Sequence, residues 1–226
     1  MRIMVLNGSP KKKSDTFRLT DAFLKGLNKN NDHEIDVVNV IDKNIAPCMG
    51  CFGCWKNGDG YCVIQDDQND ILDLFKAADL VIWSFPLYCF GMPSHLKAVL
   101  DRRIPFLKMK MLIEPDGRIR HERLIDLTAQ HNIVISGCGF PDWEGNFDSL
   151  KLMCRTSFRN LDMICVPETP MLNVPEAAPL ADILLEKFRK AGEEYDASRS
   201  LSPETIRILE TPMIPREEYI RHVNQI

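Results

Sequence analysis

No stretch of the 226-residue sequence approaches the roughly 18 uninterrupted apolar residues that a membrane-crossing helix needs, so no such span is expected. Basic residues are not in excess. The chain has 28 Lys and Arg against 32 Asp and Glu, a net charge of -4 and a pI of about 5.8, which speaks against a nucleic-acid binder. Two nucleotide-loop signatures are also missing. Without Gly-x-x-x-x-Gly-Lys-Ser/Thr there is no P-loop, and without Gly-x-Gly-x-x-Gly a dinucleotide-binding Rossmann site is disfavoured. Internal repeats and low-complexity segments are absent. Met1 to Asn7 carries one basic residue and runs straight into Gly8-Ser9-Pro10, too short a segment for a signal peptide, so the expected compartment is the cytoplasm. In that compartment the eight cysteines are not expected to pair as structural disulfides.

What is present is a regular alternation. Met1 to Asn7 is a short apolar run that reads as a buried strand. Phe17, Leu19, Phe23, Leu24 and Leu27 recur at helical spacing, with Ser14, Asp15 or Thr16 available as the cap. Glu34 to Val40 reads as a second strand, Asp70 to Ala78 as a helix, and Leu80 to Phe85 as a central parallel strand. Ser94 to Arg103 is a helix, Asn132 to Ser136 a fourth strand, Asn146 to Arg159 a helix and Asp162 to Val166 a fifth strand. Five strands alternating with helices make a doubly wound parallel sheet, for which the order 2-1-3-4-5 is expected. Residues 1–170 form the domain, and 107–130 are an insertion with a turn at Glu114-Pro115-Asp116-Gly117, a hairpin or lid. Residues 171–226 are a helical extension, with helices over Leu180 to Tyr195 and Pro203 to Leu209.

Open α/β sheets bind ligands beyond the carboxyl ends of their strands. Three loops there have unusual composition. Gly8 to Thr16 joins a strand to a helix N-terminus, and its free N–H groups, with the hydroxyls of Ser9, Ser14 and Thr16, suit a phosphate as well as they suit an ordinary capped loop. Phe85 to Pro93 combines three aromatics, two prolines and Gly91 into a rigid apolar surface, fit for a flat ring or for packing the loop onto the core. Ser136-Gly137-Cys138-Gly139-Phe140 leaves room and backbone donors, as any strand-to-helix turn does.

Taken together, Gly8-Ser9-Pro10 through Thr16, Pro86-Leu87-Tyr88-x-x-Gly91-Met92-Pro93 with Lys97 and Asp101-Arg102, and Ser136-Gly137-Cys138-Gly139 resemble the NADPH-dependent FMN reductase family of the flavodoxin-like superfamily. The resemblance covers residues 1–166. It implies FMN, with the phosphate on Ser9, Lys11, Ser14, Asp15 and Thr16, and the ring against Pro86, Leu87, Tyr88, Phe90 and Gly91, near Ser136, Gly137 and Gly139. It also implies hydride transfer from NAD(P)H to the flavin, with no catalytic acid or base demanded. By their positions at a helix start and in the insertion, His95 and His121 read as surface or capping residues. Asp15 departs from the family, which often carries Asn there. A carboxylate beside a phosphate is repulsive unless it points away.

Cys48-x-x-Cys51-x-x-Cys54, followed by Cys62, places four thiols within fifteen residues, and Gly50, Gly53, Gly58 and Gly60 give the segment backbone freedom. Such a set holds an iron-sulfur cluster or zinc, or serves as free or redox-active thiols. The arrangement is similar to the compact motif of iron-sulfur flavoproteins. That similarity implies a [4Fe-4S] cluster exchanging electrons with FMN across a subunit interface, and so a homodimer or homotetramer. Cys154 and Cys165 read as small buried hydrophobes. The expected function is an NAD(P)H oxidoreductase passing electrons to a flavin, quinone or other small acceptor. The alternatives are an electron carrier between redox proteins and a thiol-based sensor.

Overall fold

The structure is a computed structural model, which describes residues 1–11 and 13–225. Five parallel strands form one sheet: β1 (Arg2–Asn7), β2 (Glu34–Asn39), β3 (Leu80–Pro86), β6 (His131–Gly137) and β7 (Asn160–Val166). Their spatial order is β2-β1-β3-β6-β7, the doubly wound order expected from the alternation. Between β3 and β6, the strands β4 (Leu107–Ile113) and β5 (Ile119–Arg123) pair antiparallel as a separate hairpin, turning at Gly117, whose φ is +79°. The helices are α1 (Asp15–Leu27), α2 (Gly53–Asn57), α3 (Gln68–Ala77), α4 (Ser94–Asp101), α5 (Asp148–Ser157), α6 (Ala178–Ser198), α7 (Pro203–Leu209) and α8 (Arg216–Val223). Among the described residues, no helix is long and apolar enough to cross a membrane.

Alternation along the buried strands divides the core. Met4, Leu6, Val81, Trp83, Phe85 and Val134 face α3, α4 and α5. Ile3, Val5, Ile82, Ile133, Ile135 and Ile164 face α1 and α6. The segment beyond residue 171 is thus part of this second core, with Leu184, Phe188, Ala191 and Tyr195 all buried in it. Two helices are needed to cover that face, and the chain before residue 166 supplies only α1.

The two helices meet through glycines. A Cβ on Gly26 would lie 1.8 Å from the Arg189 carbonyl oxygen, and one on Gly192 would lie 2.0 Å from that of Phe23. Backbone opposes backbone here, so neither site yields by rotating a side chain. Gly192→Ala is expected to cost about 3 kcal/mol or more, which in a chain of this size lowers Tm by roughly 6–12 °C. Thermal denaturation followed by far-UV circular dichroism measures it, and an unchanged Tm would contradict the close approach of α1 and α6.

Candidate functional site

The carboxyl ends of β1, β3 and β6 carry the three loops singled out in the sequence, and hydrogen bonds join them. Gly8 N donates to Ser84 O (2.8 Å), and Leu87 N to Gly137 O (2.8 Å). His95, at the start of α4, donates from Nε2 to Gly8 O (2.9 Å), tying the first loop to the second. That tie was not legible in sequence, where His95 read as a surface or capping residue.

In the first loop, Ser9, Ser14 and Thr16 are buried. Ser14 caps α1, its Oγ accepting from Phe17 N (3.0 Å), while Ser9 Oγ accepts from Lys11 N (3.3 Å). Asp15 is the first helical residue, with its carboxylate turned to Lys11 (3.7 Å) and to the Asn173 amide. Burial pushes its pKa above the usual range against the opposing pull of Lys11. Gly8 serves packing, since a Cβ there would lie 2.6 Å from Leu96 Cδ2.

The second loop is a two-residue reversal. Tyr88 and Gly91 exchange N–H···O bonds of 3.1 and 3.0 Å across Cys89 and Phe90, whose φ angles are +46° and +60°. Two non-glycine residues in left-handed backbone store strain of about 1–2 kcal/mol each. The turn presents Tyr88 and Phe90 about half exposed, and the Phe90 ring stacks on Phe140 of the third loop at 6.3 Å and 13°.

The third loop holds an orphan, for Ser136 Oγ is fully buried with no hydrogen-bond partner. Its two glycines differ in purpose. A Cβ on Gly137 would sit 2.4 Å from Thr169 Cγ2, so this glycine admits Thr169. Gly139 and Gly91 have no atom closer than 3.7 and 3.9 Å, so they leave space. Burial pushes the Cys138 thiol up to about 11, which makes it unreactive.

A strut after β7 braces this end of the molecule. Thr169 donates from N (3.0 Å) and Oγ1 (3.1 Å) to Cys138 O, and Glu168 N donates to Phe140 O (2.9 Å). Farther on, Asn173 donates to Asp15, and Arg18 donates to Leu172 O and to Asn173 Oδ1. The C-terminal segment joins in, with Tyr219 OH donating to Gly139 O (2.8 Å) and Met213 N to Glu168 Oε2 (2.6 Å). The same segments therefore hold the first and third loops.

The four clustered cysteines lie elsewhere. Cys48, Cys51, Cys54 and Cys62 line one cavity of about 20 Å³ together with Arg102, Ile104 and Pro105, which follow the C-terminal end of α4. Eight helical residues, roughly 12 Å, separate that end from the second loop. Gly50, Gly58 and Gly60 have positive φ, as does Phe52, whereas Gly53 makes room for Val63. Burial pushes the Cys54 thiol up, with Cys62 and Cys51 adding to it. At the cavity wall Arg102 is fully buried, paired with Asp66 (2.5 Å) and donating to Ala46 O (3.1 Å), and its Nε has no partner. Among the described residues, no group of three or more His, Cys, Asp or Glu is close enough to hold a metal ion.

Residues 1–108 match the family described as flavodoxin-like fold, a span that includes the first two loops and the four cysteines. An iron-sulfur flavoprotein of Methanosarcina thermophila is 34% identical over 104 residues, 46% of this chain and 53% of that one. An FMN-dependent NADH:quinone oxidoreductase of Pseudomonas fluorescens is 26% identical over 148 residues, 60% of this chain and 73% of that one. The chain spans about half the length of the iron-sulfur flavoproteins it matches. The solved structure of an NAD(P)H:quinone oxidoreductase from Methanothermobacter marburgensis superposes with a TM-score of 0.65 at 17% identity, over 87% of this chain and 96% of that one. By sheet order and by the match over its first 108 residues, the chain has the flavodoxin-like fold.

Proposed function

We propose that this chain is an FMN-dependent NAD(P)H oxidoreductase that passes electrons to a small acceptor such as a quinone, working in the cytoplasm as a homodimer or homotetramer. The observation that carries this reading is the meeting of three loops at the carboxyl ends of β1, β3 and β6, joined by the Gly8–Ser84, Leu87–Gly137 and His95–Gly8 hydrogen bonds. Gly91 and Gly139, with no neighbouring atom closer than 3.7 Å, leave space in the second and third loops for a flat ring. Ser9, Lys11, Ser14, Asp15 and Thr16 would hold the phosphate at the α1 N-terminus. Pro86, Leu87, Tyr88, Phe90 and Gly91 would lie against the ring, near Ser136, Gly137 and Gly139. Bound FMN supplies the hydride-accepting centre. This chain orients it, shields it and leaves one side open to a second substrate at the exposed Tyr88 and Phe90. Among the relatives, the oxidoreductases that use FMN and NADH support the same reaction class.

A second reading, an iron-sulfur flavoprotein that carries electrons between proteins, is favoured by the cysteine cavity. Four thiols and a buried cation with a free Nε suit an anionic thiolate-metal group, which Cys48, Cys51, Cys54 and Cys62 would hold and which would supply one-electron transfer. The cavity has room for about one water molecule, so its exposed Cys48 and Cys51 side would open to admit a cluster. Because the cavity and the loops lie at opposite ends of α4, a partner copy would be needed to bring one chain's cysteines to the other's loops.

The test is the anaerobic absorption spectrum of the purified protein before and after NADH or NADPH, followed by addition of a quinone. A flavin band that bleaches with the nicotinamide and returns with the quinone is expected. A protein that neither contains nor takes up FMN would overturn the reading.

A further inference from the structure

Two consecutive arginines follow α4, and of the two only Arg102 has an ion-pair partner among the described residues. Arg102 is paired with Asp66. Arg103 lies with its guanidinium carbon 4.5 Å from the centre of the Phe75 ring and 5.8 Å from those of Trp83 and Phe158. Its Nε is buried with no hydrogen-bond partner. Burial alone acts on its ionisation, with no charged neighbour offsetting it, and pushes its pKa down to about 10. Only the Nε end is buried; the residue as a whole is half-buried and lines an open groove.

Arg103 opens on a groove of about 980 Å³ between the β4–β5 hairpin and the ends of α4 and α5, at the upper end of the size of small-molecule sites. Leu112, Ile125 and Met153 give the groove apolar walls. Arg123 adds a second cation; its partial burial and the field of Arg159 lower its pKa against the pull of Asp126 at 3.9 Å. Asn132 marks the groove's position at the amino end of β6, the opposite end of the sheet from the three loops.

We propose that this groove is a separate binding site for a small organic carboxylate with a flat apolar body. Arg103 receives the carboxylate, and Leu112, Ile125 and Met153 receive the body. The guanidinium lies over the Phe75 ring, and its N–H groups other than the buried Nε can form the fork that a carboxylate meets with two hydrogen bonds. The aromatic rings thus orient the cation without neutralising it. The site's position makes its ligand an effector or cargo and not the oxidant or reductant handled at the three loops of the same chain.

The test is calorimetric titration of the full chain, as purified, with 2-naphthoate and with its uncharged analogue 2-naphthalenemethanol. Saturable one-site binding of the acid is expected, at least about tenfold tighter than the alcohol. Arg103→Met keeps the side-chain length and removes an unpaired cation, so the variant should fold. It should bind acid and alcohol alike, with circular dichroism and flavin content unchanged. A second measurement does not depend on the variant. Crystals of the wild type soaked in 4-bromobenzoate should show anomalous bromine scattering in the groove, with the carboxylate on Arg103. Equal affinity for acid and alcohol, undiminished acid binding by Arg103→Met, no saturable binding, or bromine only elsewhere would each overturn the proposal.

Discussion

On the iron-sulfur reading, replacing Cys62 with alanine lowers the iron of anaerobically purified protein from about four atoms per chain to below about one, with acid-labile sulfide falling in parallel. Cys48, Cys51 and Cys54 come from one side of the turn at Gly58 to Gly60, and Cys62 from the other. The Asn69 side chain grips both sides of the Cys62 peptide, accepting from Cys62 N (2.9 Å) and donating to Cys62 O (3.1 Å). Cys62 is therefore the thiol whose position the fold fixes, while Cys48 and Cys51 are exposed. Cys62 also lies next to the buried Arg102, the one full positive charge at the cavity wall. A four-iron cluster needs four ligands, and no His or carboxylate lines the cavity to stand in for the lost one. Cys89→Ala is the control. That cysteine sits on the strained turn of the second loop and should leave iron untouched. Iron that survives Cys62→Ala, or a wild type without iron, would remove the electron-carrier reading and leave the four thiols to another chemistry.

The fold was legible because its signals are local. The Leu80 to Phe85 run and the short apolar run of Met1 to Asn7 each announce a strand within one stretch of chain, and five such stretches separated by helices imply the sheet order. Ser14 is readable as a cap because capping is a contact between residues three apart. What was not legible depends on approach across long separations. Gly26 and Gly192 are ordinary helix residues until two helices press their backbones together. Gly137 read as space for a ligand, whereas Thr169 of the strut occupies that space. The strut itself, from Glu168 to Asn173, had no periodicity to reveal it, because its residues serve other segments' carbonyls and amides. The same holds for Arg103: in sequence it is the end of a helix, and only the packing of Phe75, Trp83 and Phe158 around it shows a cation without a partner.

Glu168→Ala is expected to cost about 2–4 kcal/mol at neutral pH, whereas Glu168→Gln is expected to keep the fold and weaken its dependence on pH. Glu168 is completely buried in left-handed backbone, with φ +56°. Its Oε2 accepts from Met213 N (2.6 Å) and Ile214 N (3.3 Å), so alanine leaves two donors without an acceptor. Glutamine keeps an amide oxygen for them. Burial raises the Glu168 pKa above the usual carboxylate range, and Asp142 adds to the effect. A raised folded-state pKa means that the group's contribution to stability is complete below its unfolded pKa of about 4.3 and is lost as pH rises through the folded value. Urea denaturation from about pH 4 upward to about pH 8 should therefore show the wild type weakening relative to Glu168→Gln as pH rises. Asp162 and Glu210, also raised by burial, act in the same direction in both proteins, so the difference between the two isolates Glu168. Because Glu168 N also holds Phe140 O while its carboxylate holds the C-terminal segment, Glu168→Ala should loosen the third loop and raise the dissociation constant of FMN by about tenfold or more. Glu168→Gln should leave that constant within about twofold of the wild type. Parallel pH slopes for wild type and Glu168→Gln would mean that the carboxyl does not ionise across this range, and equal flavin affinity in Glu168→Ala would separate the strut from the site.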